Sequence, residues 1–270
     1  MFRTVGGVAP ELAARWAETL FCTPPRHEPR TGDEAFLSTG RRSTVQWEGQ
    51  DLALWEWGPE NRPAVVLVHG WGSRAGRFSV MGRRLLEAGH RVVAYDAPAH
   101  GRSTGRLASL VEFARALRAV ADCVGTVQSL VGHSLGGAAI VLALRDGLAA
   151  KRVVLLAAPA DVTRFSTAFA DHLRLSERAR QAMRRNLERR LKARWDDLHL
   201  PAIVARLRTP ALVVHDRSDP DVPYRHAEEI VAAWRGARLL ATEGLGHRAL
   251  LRDPAVVAST AAFLVEAPAR

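Results

Sequence analysis

Apolar residues along this chain gather into short runs. Those at 65–68, 92–95, 128–131, 153–158, 212–214 and 238–241 are mostly aliphatic, many rich in valine, and polar or turn-forming residues surround them. Runs of this length with no polar alternation suit strands covered on both faces. Helical stretches separate them, which predicts βαβ units and a mostly parallel sheet. Residues 44–47 and 52–57, joined across Glu48-Gly49-Gln50-Asp51, predict an antiparallel hairpin at a sheet edge, with Trp47, Trp55 and Trp57 as packing residues. The pattern therefore predicts an α/β fold, a mostly parallel central sheet of about eight strands flanked by helices. Ahead of it, residues 1–43 form an arm: 9–21 reads as an amphipathic helix and 23–31 as a proline-rich strap across the surface.

A length of 270 residues with 47% hydrophobic content fits one α/β domain over 1–270. Arg3, Glu11, Arg15 and Glu18 interrupt any signal-peptide core, and no apolar run reaches membrane-spanning length, so a cytoplasmic protein with no membrane span is expected. The two cysteines, Cys22 and Cys123, give no disulfide framework; Cys123 sits in a helical pattern and reads as a small buried residue. The net charge is +10, and 36 of the 38 basic residues are arginine, a skew that reads as codon usage. Nine basic and two acidic residues fall between Arg174 and Arg194. They are interleaved with a stripe of Leu175, Ala179, Met183, Leu187, Leu191 and Trp195 at steps of four. That step drifts around a helix of 3.6 residues per turn, which predicts a curved or broken helix pair. Arginines mixed into a packing stripe, with no nucleic-acid fold motif, argue against a nucleic-acid partner.

Candidate chemistry centres on Gly132-His133-Ser134-Leu135-Gly136. It follows an apolar run and precedes a small-residue helical stretch at 137–150, so Ser134 sits on a sharp turn between strand and helix with its Oγ exposed. A serine hydroxyl needs a base, and a histidine base needs an acid to fix its tautomer. His247 follows Gly246 beyond the run at 238–241 and is the candidate base. Asp216, Asp219 and Asp221 compete for the acid in the loop after 212–214, with Asp161 after 153–158 as a further candidate. Neither His69 nor His100 belongs to a metal-ligand spacing, and no His-Glu-x-x-His or Cys-x-x-Cys pattern occurs, so no metal and no cofactor are expected.

Taken together, four motifs resemble the α/β-hydrolase fold superfamily in its expected order. His69-Gly70-Trp71-Gly72 resembles the oxyanion loop, and Asp96-Ala-Pro-Ala-His-Gly101-Arg-Ser103 resembles the D-x-P-G-H-G-x-S loop, with Ala99 in place of the usual glycine. Residues 132–136 resemble the nucleophile elbow, and Asp219-x-x-Val222-Pro223 with Gly246-His247 resembles the acid and base ends. The resemblance implies Ser134 as nucleophile, His247 as general base and Asp219 as acid, leaving Asp216 and Asp221 as turn residues. It implies an oxyanion hole from the backbone N–H groups of Trp71 and Leu135. It also implies that residues 160–206 are a helical cap over the site, with Phe165, Phe169, Met183 and Trp195 as candidates to face the pocket. His133 is expected to line the elbow, and it joins Phe165 and Trp195 as a substrate-binding candidate.

The implied activity is hydrolysis of a carboxylic ester or thioester through an acyl-enzyme, on a small-molecule acyl substrate. Lactone or carbon–carbon bond hydrolysis on the same triad, or a non-enzymatic sensor on the same scaffold, are the alternatives. Dehalogenase and epoxide-hydrolase chemistry are disfavoured, since those relatives carry aspartate where Ser134 stands.

Overall fold

A computed structural model of the chain describes residues 9–265. Helices α1 (Pro10–Cys22) and α2 (Thr31–Leu37) precede the hairpin of β1 (Arg41–Trp47) and β2 (Gln50–Trp57). Then follow β3 (Ala64–Val68), α3 (Ser79–Glu87), β4 (Arg91–Tyr95), α4 (Leu110–Val124), β5 (Val127–His133) and α5 (Leu135–Arg145). Next come β6 (Arg152–Leu156), α6 (Thr163–His172), α7 (Glu177–Leu191) and α8 (Leu200–Val204). The chain closes with β7 (Ala211–Asp216), α9 (Arg225–Ala233), β8 (Arg238–Thr242), α10 (Gly246–Ala249) and α11 (Pro254–Val265).

The eight strands form one sheet in the order β1-β2-β4-β3-β5-β6-β7-β8. Only β2 runs against the other seven strands, pairing antiparallel with both β1 and β4. Strands β3, β4, β6 and β7 are buried at every position, as their unbroken apolar runs require. The hairpin turns on Glu48 and Gly49, both at positive φ (46° and 74°), which gives the two-residue connection that matches strand twist. Its three tryptophans are all buried.

Strand order reverses at β3, which lies between β4 and β5. A crevice opens at the carboxyl ends of the strands at such a point. Val68, Tyr95 and Gly132 are level there, and His133 pairs with Leu156 one strand further on. The oxyanion-loop motif, the Asp96 loop and Ser134 therefore leave the sheet side by side.

The segment between β6 and β7 folds as α6, α7, a 3-10 turn at Trp195–Leu198 and α8. The stripe does not lie on one helix: α7 carries Ala179, Met183, Leu187 and Leu191, whereas Leu175 precedes its start and Trp195 falls in the 3-10 turn beyond its end. The buried face of α7 is Ala179, Ala182, Met183, Leu187 and Leu191. The Ser176 side chain accepts from the Ala179 amide at its start, and Lys192 stops it in the left-handed conformation.

Helix α1 packs lengthwise on α7. Arg190 fastens the two: its guanidinium reaches Glu18 at 3.0 Å, Glu112 of α4 at 2.9 Å and the Cys22 sulfur at 3.1 Å. The arm also contains α2, a helix that the reading of a strap over 23–31 did not include. Phe36 of α2 stacks on Trp57 with ring centroids 4.3 Å apart, so the helix is ordered by a partner distant in sequence. Cys123 is exposed, contrary to expectation, because α4 turns Val120, Ala121 and Val124 inward instead. No helix among the described residues is long and apolar enough to cross a membrane.

Candidate active site

Ser134 stands between β5 and α5 with φ 52° and ψ −122°, a conformation that non-glycine residues adopt only under constraint. Close packing supplies the constraint. The Ser134 amide donates to the Leu156 carbonyl at 2.8 Å. A Cβ on Gly136 would stand 2.2 Å from the Val68 carbonyl oxygen, and one on Gly132 would stand 2.7 Å from the Gly136 backbone. The two glycines let helix and sheet approach, and the approach forces the turn that projects the serine.

His247 opens α10, just beyond β8, and its Nδ1 donates to Asp219 Oδ2 at 2.8 Å. That bond fixes the tautomer and leaves Nε2 as the basic nitrogen. Asp219 is itself held from three further directions. The Asp221 and Val222 amides each donate to Oδ1 at 2.8 Å, and His215 Nε2 lies 3.4 Å from Oδ2. Burial pushes the Asp219 carboxyl up, but these hydrogen bonds outweigh it and hold the group well below the ordinary carboxylate range.

The competing carboxylates go elsewhere. Asp161 accepts from the Thr163 amide at 2.9 Å and hydroxyl at 2.6 Å, a turn that leads into α6. Asp221 lies on the surface, 3.9 Å from Arg248. Asp216, read from sequence as a turn residue, is the last residue of β7 and fully buried. Its Oδ1 accepts from the Ser218 amide at 3.0 Å and hydroxyl at 2.6 Å, and its Oδ2 from the Thr242 hydroxyl at 2.7 Å and the Leu245 amide at 3.0 Å. It thus ties the Asp219 loop to the loop that carries His247. Nothing in sequence distinguished it beyond its position at the strand end.

His133 presents its ring to that of His247 at 4.7 Å, and its Nε2 donates to the His247 carbonyl at 2.8 Å. Burial and the neighbouring His247 push its imidazole down to about 3, so it stays neutral. Ser134 and His247 open on the same cavity. Their side chains share no hydrogen bond, and a nucleophile–base contact of this kind commonly tightens only when substrate binds.

On the other flank, the Trp71 amide has no acceptor among the described residues, and Leu135 begins α5, where a helix leaves its amides free. Two histidines shape the loop bearing Trp71. His69 Nδ1 donates to the Gly70 carbonyl at 2.7 Å, and its Nε2 accepts from the Ala97 amide at 2.9 Å. His100 Nδ1 donates to the Pro98 carbonyl at 2.8 Å, and its Nε2 accepts from the Gly72 amide at 3.0 Å. Both roles require neutral rings. Burial lowers His69 to about 4, and burial with the adjacent His69 lowers His100 to about 3. Ala99 holds a φ of 64°, the conformation that the usual glycine would adopt without strain.

The cavity over Ser134 has a volume of about 770 Å³, within the range of small-molecule sites. His133, Phe165 and Trp195 line it, as does Phe169, whereas Met183 is buried in the core. Sequence reasoning missed the arm. Leu20, Phe21, Pro25 and Arg30 line the cavity too, and Phe21 packs at a tilt against Phe169 with ring centroids 5.3 Å apart. Pro25 lies over Gly72, and Arg74 donates to the His27 carbonyl, so the strap rests on the oxyanion-loop segment.

Residues 65–260 match the alpha/beta hydrolase family. The chain belongs to that family. As an alpha/beta hydrolase it resembles human monoglyceride lipase, 31% identical over 168 residues that cover 56% of this chain and 55% of the relative. It also resembles a bifunctional esterase/perhydrolase of Acinetobacter calcoaceticus, 32% identical over 120 residues, covering 42% and 43%. The chain spans about half, or less, of the length of these curated relatives. Among solved structures, an esterase from Exiguobacterium antarcticum superposes with a TM-score of 0.66 at 17% identity, covering 84% of this chain and 100% of that one. The thioesterase domain from the curacin biosynthetic pathway gives 0.64 at 18%, covering 84% and 99%. At such identities these structures speak for the fold.

Proposed function

We propose that this alpha/beta hydrolase cleaves carboxylic esters or thioesters of a small acyl substrate through an acyl-enzyme on Ser134. One observation carries the reading: His247 Nδ1 sits 2.8 Å from the buried Asp219 carboxylate, with both His247 and Ser134 opening on one apolar cavity. The lipase and esterase names of the relatives support the same bond class.

In this mechanism His247 Nε2 takes the Ser134 proton as Oγ attacks the acyl carbonyl. Asp219 stabilises the imidazolium that forms. The Trp71 and Leu135 amides bind the oxyanion, each worth roughly 3–4 kcal/mol in such chemistry, and the start of α5 adds its dipole. His247 then protonates the leaving group, and a water activated by the same nitrogen releases the acid. Phe165, Phe169 and Trp195 supply apolar walls that receive the acyl chain and displace water.

The test is hydrolysis of p-nitrophenyl esters of graded acyl length by wild type and Ser134→Ala. Turnover with a chain-length optimum in the wild type, lost in the variant, is expected. A folded wild type that turns over none of the series would favour a sensor role and overturn the reading.

A further inference from the structure

Two chemically unlike sets of residues line the cavity. The arm and the inserted helices build one from Phe21, Phe169, Leu187 and Leu191. Arginines dominate the other: Arg30, Arg77, Arg248 and Arg252 line the same cavity. They come from three segments that meet there. The strap lies on the loop before Arg77 through Pro25 and Arg74, and Arg248 adjoins His247 while Arg252 lies just beyond the end of α10.

Compensating charge is sparse. Asp33 is 3.4 Å from Arg77, and Asp221 is 3.9 Å from Arg248. Arg30 and Arg252 have no ion-pair partner among the described residues. The Arg77 guanidinium is held below its ordinary range, first by burial and then by repulsion from Arg30, with Arg252 and Arg74 adding and Asp33 opposing. Arg30, Arg77 and Arg252 therefore feel one another within the cavity lining, and an anion placed among them relieves the repulsion. Guanidinium groups suit phosphate, whose oxygens match their paired donors.

The reaction decides which part of a substrate meets them. The leaving group takes its proton from His247, so it must lie on the side where Arg248 and Arg252 stand. The acyl chain packs on the apolar set.

Building on the hydrolase reading above, we propose that the preferred substrate is an acyl ester or thioester whose leaving group carries phosphate, held by Arg30, Arg77, Arg248 and Arg252. Hydrolysis adds the water hydroxyl to the acyl carbon and its proton to the phosphorylated alcohol or thiol.

Two substrate pairs separate the sources of such a phosphate. Monodecanoylglycerol is compared with its 3-phosphate, and the decanoyl thioester of N-acetylcysteamine with decanoyl-coenzyme A. In wild type at low salt, the phosphorylated member of at least one pair should have a kcat/KM at least tenfold higher, and the favoured pair identifies the source. The ratio should fall at least fivefold in Arg30→Gln/Arg252→Gln and recover in Arg30→Lys/Arg252→Lys. Because each ratio is taken within one variant, it does not depend on the fraction folded. A ratio of one or less for both pairs, or a ratio unmoved by the glutamines, overturns the proposal. Binding of decyl phosphate to Ser134→Ala reads the same subsite without turnover, and the glutamine pair should weaken it at least tenfold. If no ester or thioester is cleaved yet decyl phosphate binding depends on the arginines, the hydrolase reading fails and the anion subsite stands. Binding that ignores the arginines removes the subsite.

Discussion

The floor and the roof of the cavity are built by different physics. The floor is a row of strand tips, where polar groups sit within a few residues of a strand end and are pinned by backbone donors and acceptors. Asp219, Asp216, His69, His100 and His133 are each buried and hydrogen-bonded there. The roof is α1, the strap, α6 and α7, held by apolar side chains and by arginine pairs between segments far apart, such as Arg190 with Glu18. Geometry at the floor is over-determined and suited to fixing a reacting atom. The roof rests on fewer fixed contacts and is suited to choosing what enters.

That contrast predicts a steep gradient of effects. The largest belongs to Asp219→Asn, which keeps the shape but misorients His247. A loss of roughly 10³–10⁴-fold in kcat is expected, with a melting temperature close to wild type. If Asp161→Asn proved the damaging change instead, the acid would be misassigned.

Acid should attack the floor before the roof. His69, His100 and His133 stay neutral in the fold down to about 4, 3 and 3, whereas in the unfolded chain they protonate near 6.5. Their native values are lowered, so the unfolded state binds more protons, and stability present above pH 6.5 is lost as pH falls. The slope should approach about 1.4 kcal/mol per pH unit for each ring. Urea unfolding at pH 7, 6, 5 and 4 should show a loss of several kcal/mol in total, and a flat profile down to pH 5 would contradict the neutral assignments.

Asp216→Asn comes next. An amide nitrogen would face donors on one side of the carboxylate, costing about 2–3 kcal/mol. By loosening the His247 loop it should also lower kcat by about tenfold or more, whereas the exposed Asp221→Asn should change stability by under about 0.5 kcal/mol. Equal effects of the two would show that Asp216 is only a turn residue.

In the roof, Arg190→Met removes partners from Glu18 and Glu112 in a half-buried setting, at a cost of about 1–2 kcal/mol. KM for long acyl esters should rise more than for acetate. Arg185→Gln, which loses only an exposed pair with Glu11, should do almost nothing.

The same division governs what the sequence could reveal. Strands buried on both faces announce themselves as apolar runs, and the elbow glycines and the Asp219 and His247 loops lie next to those runs. The hairpin was legible because its two-residue turn and tryptophans are local. What escaped depends on contacts between distant segments. The strap looked like surface because nothing near it in sequence says that Pro25 meets Gly72. Helix α2 is seven residues long and needs Trp57 to order it. The stripe from Leu175 to Trp195 shows that one straight helix does not carry it, but where the helix starts and stops depends on the Ser176 cap and the left-handed Lys192. Cys123 fits a helical pattern in sequence, but Val120, Ala121 and Val124 fill the inward face and leave it exposed. Asp216 looked like one turn aspartate among three until its four donors, two of them from the His247 loop, were in place.

The central claim, that Ser134 is an activated nucleophile driven by His247 and Asp219, is tested most directly by fluorophosphonate labelling read by peptide mass spectrometry. A stoichiometric adduct on Ser134, absent in Ser134→Ala and slowed at least a hundredfold in Asp219→Asn, is the expected result. No adduct on the folded wild type, or one at another residue, would contradict it.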